Sequence, residues 1–341
     1  MLAAEITLDA ALRDLDSERE HYRHQAVRNL APALLEELDV PGPHWRSTTE
    51  HARGEAVLRA LLERLSDEHP APLRGLAATG LGMLGEPEAL DHVEPWLALT
   101  GDDEDQAYLR ECAVVTASFL GKAAADADAA PELRTRIDGA LTGALKSDNP
   151  ELRFQAGLAL VELQGDAAEP ALVDALRNEE DERVQEGLVD ALAHLDPPGA
   201  EACDVLETLV QGENAWGSLG FLCAMTLAAA RRATARPRLL DGLDLRHERD
   251  DALEGLAALG RAEPAEVERV QRLAKRMLLP GVTRVRAAYA LARMAGTDGG
   301  PNPGLTLLER LRWHPRAAVR EAVGDAFENL ETLAARERNA D

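Results

Sequence analysis

Aromatic residues are scarce in this chain. They make up 3% of the 341 residues, whereas hydrophobic residues as a whole make up 45%. A core of this composition must be built mainly from Ala and Leu, which suits closely packed helices. The sequence also lacks runs of alternating β-branched residues bounded by turn dipeptides, so we expect no strands.

Cysteine is scarce too, and long hydrophobic runs are absent. Cys112, Cys203 and Cys223 lie inside helical patterns, and an odd number in so long a chain does not indicate a disulfide framework. Residues 1–5 contain no basic segment and no long apolar run, so no signal peptide is expected. The most apolar stretch, residues 219–230, is too short to span a membrane. We therefore expect a cytoplasmic protein without a membrane partner.

Positive charge is the third shortage. Lysine occurs only at Lys122, Lys146 and Lys275, and the 37 Lys and Arg residues face 61 Asp and Glu residues, which gives a net charge of -24. An acidic surface repels phosphate backbones, so nucleic acid is not expected as a general partner, although a local basic groove is left open. This acidic composition fits a high-GC genome and a salt-adapted organism equally well.

A thirteen-residue pattern recurs along the chain at spacings of 29 to 51 residues. It reads apolar, Arg, two variable residues, two apolar, one variable, small, apolar, two variable, apolar, and Gly or small. Nine copies align by the residue after the first apolar one, which we call the aligned position. It holds Arg in seven copies and another residue in two, in the order Arg23, Arg74, Arg110, Arg153, Gln185, Gly220, Arg249, Arg284 and Arg320.

Each copy predicts a helix. In the fourth copy an apolar stripe runs from Leu152 to Leu163 at helical spacing, and Asn149 and Pro150 supply an N-cap and a first helical residue. Glycines mark the predicted ends of the second, third and fourth copies, at Gly85, Gly121 and Gly165.

A second amphipathic stretch precedes each copy, so the repeating unit is helix, turn, helix. Examples are residues 56–65, 133–145, 171–176, 205–210 and 267–278. A single helix pair cannot bury its apolar stripe alone, so neighbouring pairs must stack. The sequence predicts an all-α fold, an α–α superhelix of about nine helix pairs forming one solenoid over residues 1–341. Residues 39–52 form a long insert between repeats, and residues 334–341 form a tail that we expect to fray.

The unit length and the run apolar-Arg-x-x-Ala-Ala-x-Ala-Leu, preceded by Asp or Asn with Pro, resemble HEAT repeats from about Leu8 to Leu333. They are most similar to the bacterial HEAT-like type also found in phycobilin lyase subunits. The resemblance implies a binding scaffold in which the repeated Arg and a nearby acidic residue link neighbouring repeats. The acidic residues near that place are Asp67, Asp148 and Asp181. We favour this structural role for the arginines over a row that grips an anionic ligand.

Two irregularities interrupt the array. The insert contains Trp45 among Pro and Gly residues that disfavour helix, and it is either a functional loop or a segment that caps the N-terminal end of the core. The Arg is lost at Gln185 and Gly220, next to residues 212–218 with Trp216. At this break either the stacking bends, or a pocket opens, or the repeat sequence has simply diverged.

Large apolar residues occupy second-helix positions that turn partly away from the main stripe. They form either a groove for a partner helix or peptide, or packing against the adjacent repeats. The candidates are Phe154, Leu158, Phe221, Leu222 and Met225, with Trp45 and Trp216 at the rim. The inner surface of the last repeats is instead charged, and we expect it to be solvated. Its residues are Arg286, Arg293, Glu321, Asp325 and Glu328.

Catalytic and metal-binding motifs are missing. The cluster of His21, His24, His44 and His51 with Glu20 and Glu50 has a density that suits zinc, but its spacing matches no known closed site, and we expect no metal and no cofactor. No nucleophile motif, phosphate loop or dinucleotide fingerprint in a strand–turn–helix context is present.

The sequence thus predicts a non-catalytic, monomeric scaffold that binds another protein or peptide on its concave surface. Two alternatives follow from the resemblance. One is a bilin lyase-like subunit that binds a tetrapyrrole. The other is a HEAT-like DNA glycosylase, which would need a basic concave channel and a catalytic Asp, and which the net charge of -24 opposes.

Overall fold

The computed structural model describes residues 5–101, 103–126, 131–195, 197–212, 216–276, 279–295 and 301–340. These residues form α-helices joined by turns and two short 3-10 helices, and none of them lies in a strand. The predicted all-α fold class is confirmed. By its internal contacts the chain divides into two compact units, Met1–Leu195 and Asp196–Asp341. A single solenoid over the whole chain stays a prediction.

Helix pairs build both units. The helices of the first unit are α1 (Leu8–Asp14), α2 (Glu20–Glu37), α3 (Ser47–Glu50), α4 (Gly54–Glu63), α5 (Ala71–Met83), α6 (Glu88–Leu97), α7 (Glu104–Asp126), α8 (Pro131–Ala144), α9 (Pro150–Gln164), α10 (Glu169–Asn178) and α11 (Glu182–Ala193). Those of the second unit are α12 (Ala200–Val210), α13 (Ser218–Ala229), α14 (Arg236–Gly242), α15 (Arg249–Leu259), α16 (Pro264–Ala274), α17 (Gly281–Met294), α18 (Pro303–Leu311) and α19 (Ala317–Ala340).

Every aligned position lies in the second helix of a pair. These second helices are α2, α5, α7, α9 and α11 in the first unit and α13, α15, α17 and α19 in the second. Within the described residues the pairs number nine, as the sequence predicted, and α3 belongs to the insert. Residues 334–340 continue α19, and their fraying stays a prediction.

Consecutive second helices pack against each other inside each unit, which produces a continuous row. The row is built from small and branched apolar residues, as the shortage of aromatics requires: Leu81, Leu120 and Leu160 are fully buried. Small residues let the helices approach closely. A Cβ atom at Gly82 of α5 would lie 2.8 Å from the backbone oxygen of Thr116 in α7, so only glycine fits there.

Local signals explain several helix boundaries. The Asn149 side chain accepts a hydrogen bond from the Leu152 amide at 3.1 Å and caps α9, as predicted. Gly85 and Gly165 follow the ends of α5 and α9 with positive φ angles of 66° and 54°. The prediction for Gly121 is wrong, because α7 continues to Asp126 and Gly121 instead faces the side chain of Leu163.

Candidate functional site

The aligned arginines bind the turn that precedes their own helix. In four of them the guanidinium donates to the backbone carbonyl six residues earlier, at 2.7 to 2.8 Å. These bonds join Arg23 to Ser17, Arg153 to Ser147, Arg249 to Leu243, and Arg320 to His314. Arg110 reaches the corresponding turn through the carbonyls of Leu99 and Gly101. The side chain thereby ties the two helices of a pair together and satisfies carbonyls at the end of the first helix.

Acidic partners of the arginines agree only in part with what the resemblance implied. Arg74 pairs with Asp67, but this ion pair lies inside one helix pair. Arg153 does link neighbouring repeats, although its partner is Glu179, which it binds in a bidentate manner at 2.6 and 2.7 Å. Asp181 instead caps α11 through the amides of Arg183 and Val184. Glu179, two residues before Asp181, therefore provides the link between repeats that the resemblance implied for Asp181.

The Arg153–Glu179 pair perturbs both groups. Its hydrogen bond raises the pKa of Arg153. Burial acts to raise the pKa of Glu179, but the hydrogen bonds from Arg153 and from neighbouring amides outweigh it, and the pKa of Glu179 is lowered. The pair is thus held in its ionised form.

The two copies without Arg keep the turn hydrogen-bonded by other means. Gln185 Nε2 donates to the Glu179 carbonyl at 2.7 Å, again six residues earlier. At Gly220 the guanidinium comes from Arg238 of α14, in the next repeat. Its Nη2 donates to the Gly217 carbonyl at 3.2 Å and to Glu248 Oε1 at 2.8 Å. Residues 213–215 of the break lie outside the described residues.

Phe154 and Leu158 are half-buried on α9. The Phe154 ring lies over Gly187 of α11, where an added Cβ would be 2.1 Å from ring carbon Cδ2. The guanidinium of Arg183 stands 5.7 Å from the ring centroid. The ring therefore packs against the next repeat, and of the two roles left open for Phe154 the contacts favour packing.

Phe221, Leu222 and Met225 are half-buried on α13. Phe221 contacts the next pair, because Arg238 lies 4.9 Å from its ring centroid and a Cβ at Gly242 would be 3.0 Å from ring carbon Cε2. The Met225 sulfur would similarly lie 3.1 Å from a Cβ at Gly255. These contacts again favour packing between repeats over an open groove.

The insert lies along the C-terminal end of α5. The amides of His44 and Ser47 donate to the Met83 and Leu84 carbonyls at 2.9 and 3.0 Å, and α3 begins at Ser47, after the helix-breaking residues. Gly85 lies against the backbone of Trp45. The insert thus caps the end of α5 in the second repeat.

Docking of the insert buries a carboxyl group. Glu86 is 4% exposed and accepts a hydrogen bond from the Thr48 side chain. Burial raises the pKa of Glu86 despite that hydrogen bond. Ion pairs hold the far end of the insert, where His51 lies 2.9 Å from Glu37 and Arg53 also contacts Glu37.

Two tryptophans are strongly exposed. Trp216 is 71% exposed at the start of α13, and Trp313 is 88% exposed in the turn between α18 and α19. Trp45 is half-buried beside Arg46, at 5.6 Å from guanidinium to ring. Trp313 was not among the sequence candidates, because nothing in the repeat pattern distinguishes an exposed turn residue from a packed one.

A groove of about 610 Å³ lies on the second helices of the last repeats. Its floor is formed by one face of α15, α17 and α19, with residues three or four positions apart on each helix. The apolar residues of the floor are Leu253, Ala257, Ala258, Val282, Val285, Tyr289, Ala322, Ala326 and Leu333. Of the charged residues that the sequence predicts on this surface, Arg286, Arg293 and Asp325 line the groove beside its apolar floor, and Glu321 and Glu328 do not.

The rim carries both signs of charge. Arg286 pairs with Asp250 at 2.8 Å, and Arg293, Glu254 and Asp325 also line the groove. Burial raises the pKa of the Tyr289 hydroxyl in the floor, with Arg293 acting in the opposite direction. The groove therefore combines an apolar centre with polar edges.

The candidate metal cluster does not assemble. His44 lies 3.0 Å from Glu50, and His51 lies 2.9 Å from Glu37, so these imidazoles are in separate ion pairs. Among the described residues no group of three or more His, Cys, Asp or Glu side chains is arranged to hold a metal ion. All three cysteines are buried thiols outside any disulfide, and burial raises the pKa of Cys223 to about 12, which keeps that thiol protonated. No helix in the described part of the chain is long and apolar enough to cross a membrane.

The stacked helix pairs agree with comparisons to known proteins. A family model for HEAT repeats matches residues 137–217. This segment is similar to HEAT repeats. The resemblance stated from the sequence is thereby confirmed. No match was found among curated proteins.

Solved structures extend the fold assignment beyond that segment. The X-ray structure of YibA from E. coli is 15% identical, covers 86% of this chain and 94% of its own, and has a TM-score of 0.61. The complex of CpcE and CpcF of phycocyanin lyase from Nostoc sp. PCC7120 is 17% identical, covers 91% and 95%, and has a TM-score of 0.28. The crystal structure of Kap121p bound to Nup53p is 12% identical, covers 95% of this chain and 45% of its own, and has a TM-score of 0.43. Only the first likeness carries an argument, and it concerns the fold alone. The lyase-like and glycosylase alternatives stay predictions.

Proposed function

We propose that this chain is a non-catalytic scaffold that binds another protein through the groove on α15, α17 and α19. The observation that carries the proposal is the apolar floor enclosed by a charged rim. Protein interfaces have this anatomy, with a desolvated centre and polar edges. A solenoid face formed by parallel helices also offers a long, preformed surface, which lowers the entropic cost of binding.

The shape of the floor supports an amphipathic segment as the ligand. Each of the three helices contributes residues at i and i+4, and α17 and α19 continue to i+7 and beyond, as with Val282, Arg286, Tyr289 and Arg293 on α17. A partner helix or extended strand would cover the apolar floor with one face and place polar side chains against the rim. The sequence candidates Leu158 and Leu222, which are half-buried, stay proposed secondary contacts.

The groove is tested with the double variant Ala258→Asp and Val282→Asp. Ala258 is exposed and Val282 is 37% exposed, so both substitutions place charge on the floor without entering the core. The matched control is Ala265→Asp with Leu305→Asp, on the first helices α16 and α18, where Leu305 is 38% exposed. Both variants change the net charge equally, and circular dichroism verifies that both fold.

Affinity capture from lysate of the source organism, followed by mass spectrometry, compares the two variants with the wild type. We expect proteins captured by the wild type and by the control to be missing from the groove variant. If the groove variant captures the same proteins as the wild type, the groove is not the binding surface.

A further inference from the structure

Basic residues are concentrated in one segment of this acidic chain. Residues 269–320 contain eleven Arg or Lys residues and only two Asp or Glu residues, Asp298 and Glu309. The chain as a whole carries a net charge of -24. A positive segment of this length reverses the charge locally. It extends from α16 to the start of α19.

Three of these arginines and a tryptophan lie close together at the end of α18 and in the turn before α19, and all four are exposed. The first residue of α17, Gly281, lies against the same turn, because a Cβ there would be 3.7 Å from His314 Cε1. We call the exposed residues at this place the basic edge, which consists of Arg310, Arg312, Trp313 and Arg316.

Most charges of the basic edge have no intramolecular ion pair. Among the described residues no carboxylate lies within 4.0 Å of the charged groups of Arg310 or Arg316, and Arg312 has one distant partner, Glu309, at 3.9 Å. By contrast, Arg136 on the first unit binds Asp91 and Glu94 at 2.7 and 2.9 Å. Mutual repulsion among unpaired cations is unfavourable, so an external anion would relieve it.

Trp313 stands among these charges with 88% of its surface exposed. Tryptophan and arginine are the residues most enriched at the energetic centres of protein interfaces, because each combines a large apolar area with directional polar groups. Exposure of a whole indole to water has no benefit for the isolated fold. The combination of an apolar anchor with surrounding cations therefore indicates a binding surface.

We propose that the basic edge binds an acidic segment of a partner protein, with Trp313 as the apolar anchor and Arg310 and Arg316 as carboxylate ligands. This inference rests on the proposed scaffold function but uses a surface separate from the groove. An acidic segment is favoured over nucleic acid because a long polyanion would extend beyond the edge onto a strongly acidic protein. A short acidic segment ends within the edge.

The test measures fluorescence anisotropy of a short labelled peptide of alternating Glu and Leu, with the Gln–Leu peptide of equal length as the uncharged probe. We expect the Glu–Leu peptide to bind the full chain and the Gln–Leu peptide not to bind. Arg310→Glu with Arg316→Glu should weaken binding by about tenfold or more, since paired charges across an interface are reversed. Trp313→Ala should also weaken it. The matched control, Arg59→Glu with Arg134→Glu, reverses two exposed arginines on the first unit and should change affinity little.

Four results would overturn the proposal. They are an absence of Glu–Leu binding, an equal loss of affinity in the control variant, tighter binding of a labelled oligo-dT at the same salt concentration, and self-association of the chain that the Arg310 and Arg316 substitutions abolish. The groove variant Ala258→Asp with Val282→Asp should bind the peptide normally. Failure of the groove and failure of the basic edge are therefore distinguishable.

Discussion

Arg238 and Glu248 form a buried bidentate ion pair, with Nη1 to Oε2 at 2.7 Å and Nη2 to Oε1 at 2.8 Å. Both residues are less than 8% exposed. The same guanidinium donates to the carbonyl of Gly217 and stacks on Phe221, next to the position where the repeat has Gly220 instead of Arg. The turn-binding cation of this repeat is therefore supplied by the following helix pair.

Replacement of Arg238 should destabilise the second unit strongly. Arg238→Met leaves the Glu248 carboxylate buried without its partner, and loss of one member of a buried pair costs about 3–5 kcal/mol. Urea denaturation measures the free energy of unfolding. The control is Arg269→Met, which removes an exposed pair with Asp244 and should cost less than about 1 kcal/mol. Equal effects of the two substitutions would show that the buried pair has no special role.

Neutralisation of Glu86 should tighten the docking of the insert. Because burial raises its folded-state pKa above the ordinary value of 4.5, the contribution of Glu86 to stability is fully present below that value and is lost as the pH rises through the raised pKa. Glu86→Gln removes this penalty at neutral pH. Trypsin cleavage after Arg46, which is exposed within the insert, should become slower than in the wild type.

The control for the insert is Glu68→Gln, because Glu68 is exposed in the turn before α5 and is not among the groups that shift the pKa of Glu86, whereas Glu88 acts to raise it. Its cleavage rate should match that of the wild type. An unchanged or faster rate in Glu86→Gln would mean that ionisation of Glu86 does not oppose docking.

Much of the fold could be predicted from the sequence because the repeat is a local signal. The aligned arginines, the cap at Asn149 and the end at Gly165 depend on residues close in sequence. Contacts across the array could not be predicted in this way. The replacement of an Arg at Gly220 by Arg238, and the insert lying on α5, join residues about 20 to 40 positions apart with no periodic pattern between them.

The basic edge has a signal in the sequence, although a weak one. The excess of basic residues over 269–320 is visible when charge is counted by segment, whereas the net charge of -24 conceals it. The groove needed the structure, because Val282 and Ala258 become neighbours only when α15 and α17 pack side by side. The tryptophans also needed the structure, because the sequence does not distinguish an exposed Trp from a packed one. Trp96 is buried, whereas Trp313 is exposed.

The contact between Phe154 and Gly187 provides a test of whether the half-buried aromatic rings stabilise the array. Gly187→Ala places a methyl group only 2.1 Å from ring carbon Cδ2 of Phe154. This overlap forces the ring or helix α11 to move. Overpacking of this kind costs about 1–3 kcal/mol. The second substitution Phe154→Leu removes ring atoms from the overlap and should recover part of the loss. A double-mutant cycle by urea denaturation should therefore give a coupling of about 0.5–3 kcal/mol between the two positions.

The matched control for this cycle is Gly143→Ala on α8, where an added Cβ meets no atom within 4 Å. Because alanine favours helix over glycine, this substitution should be neutral or stabilising by up to about 1 kcal/mol. If Gly187→Ala behaves like Gly143→Ala and shows no coupling to Phe154, the ring does not depend on that contact. Phe154 would then be available to a partner, and the wider second-helix surface of the first unit would regain its place as a candidate binding face.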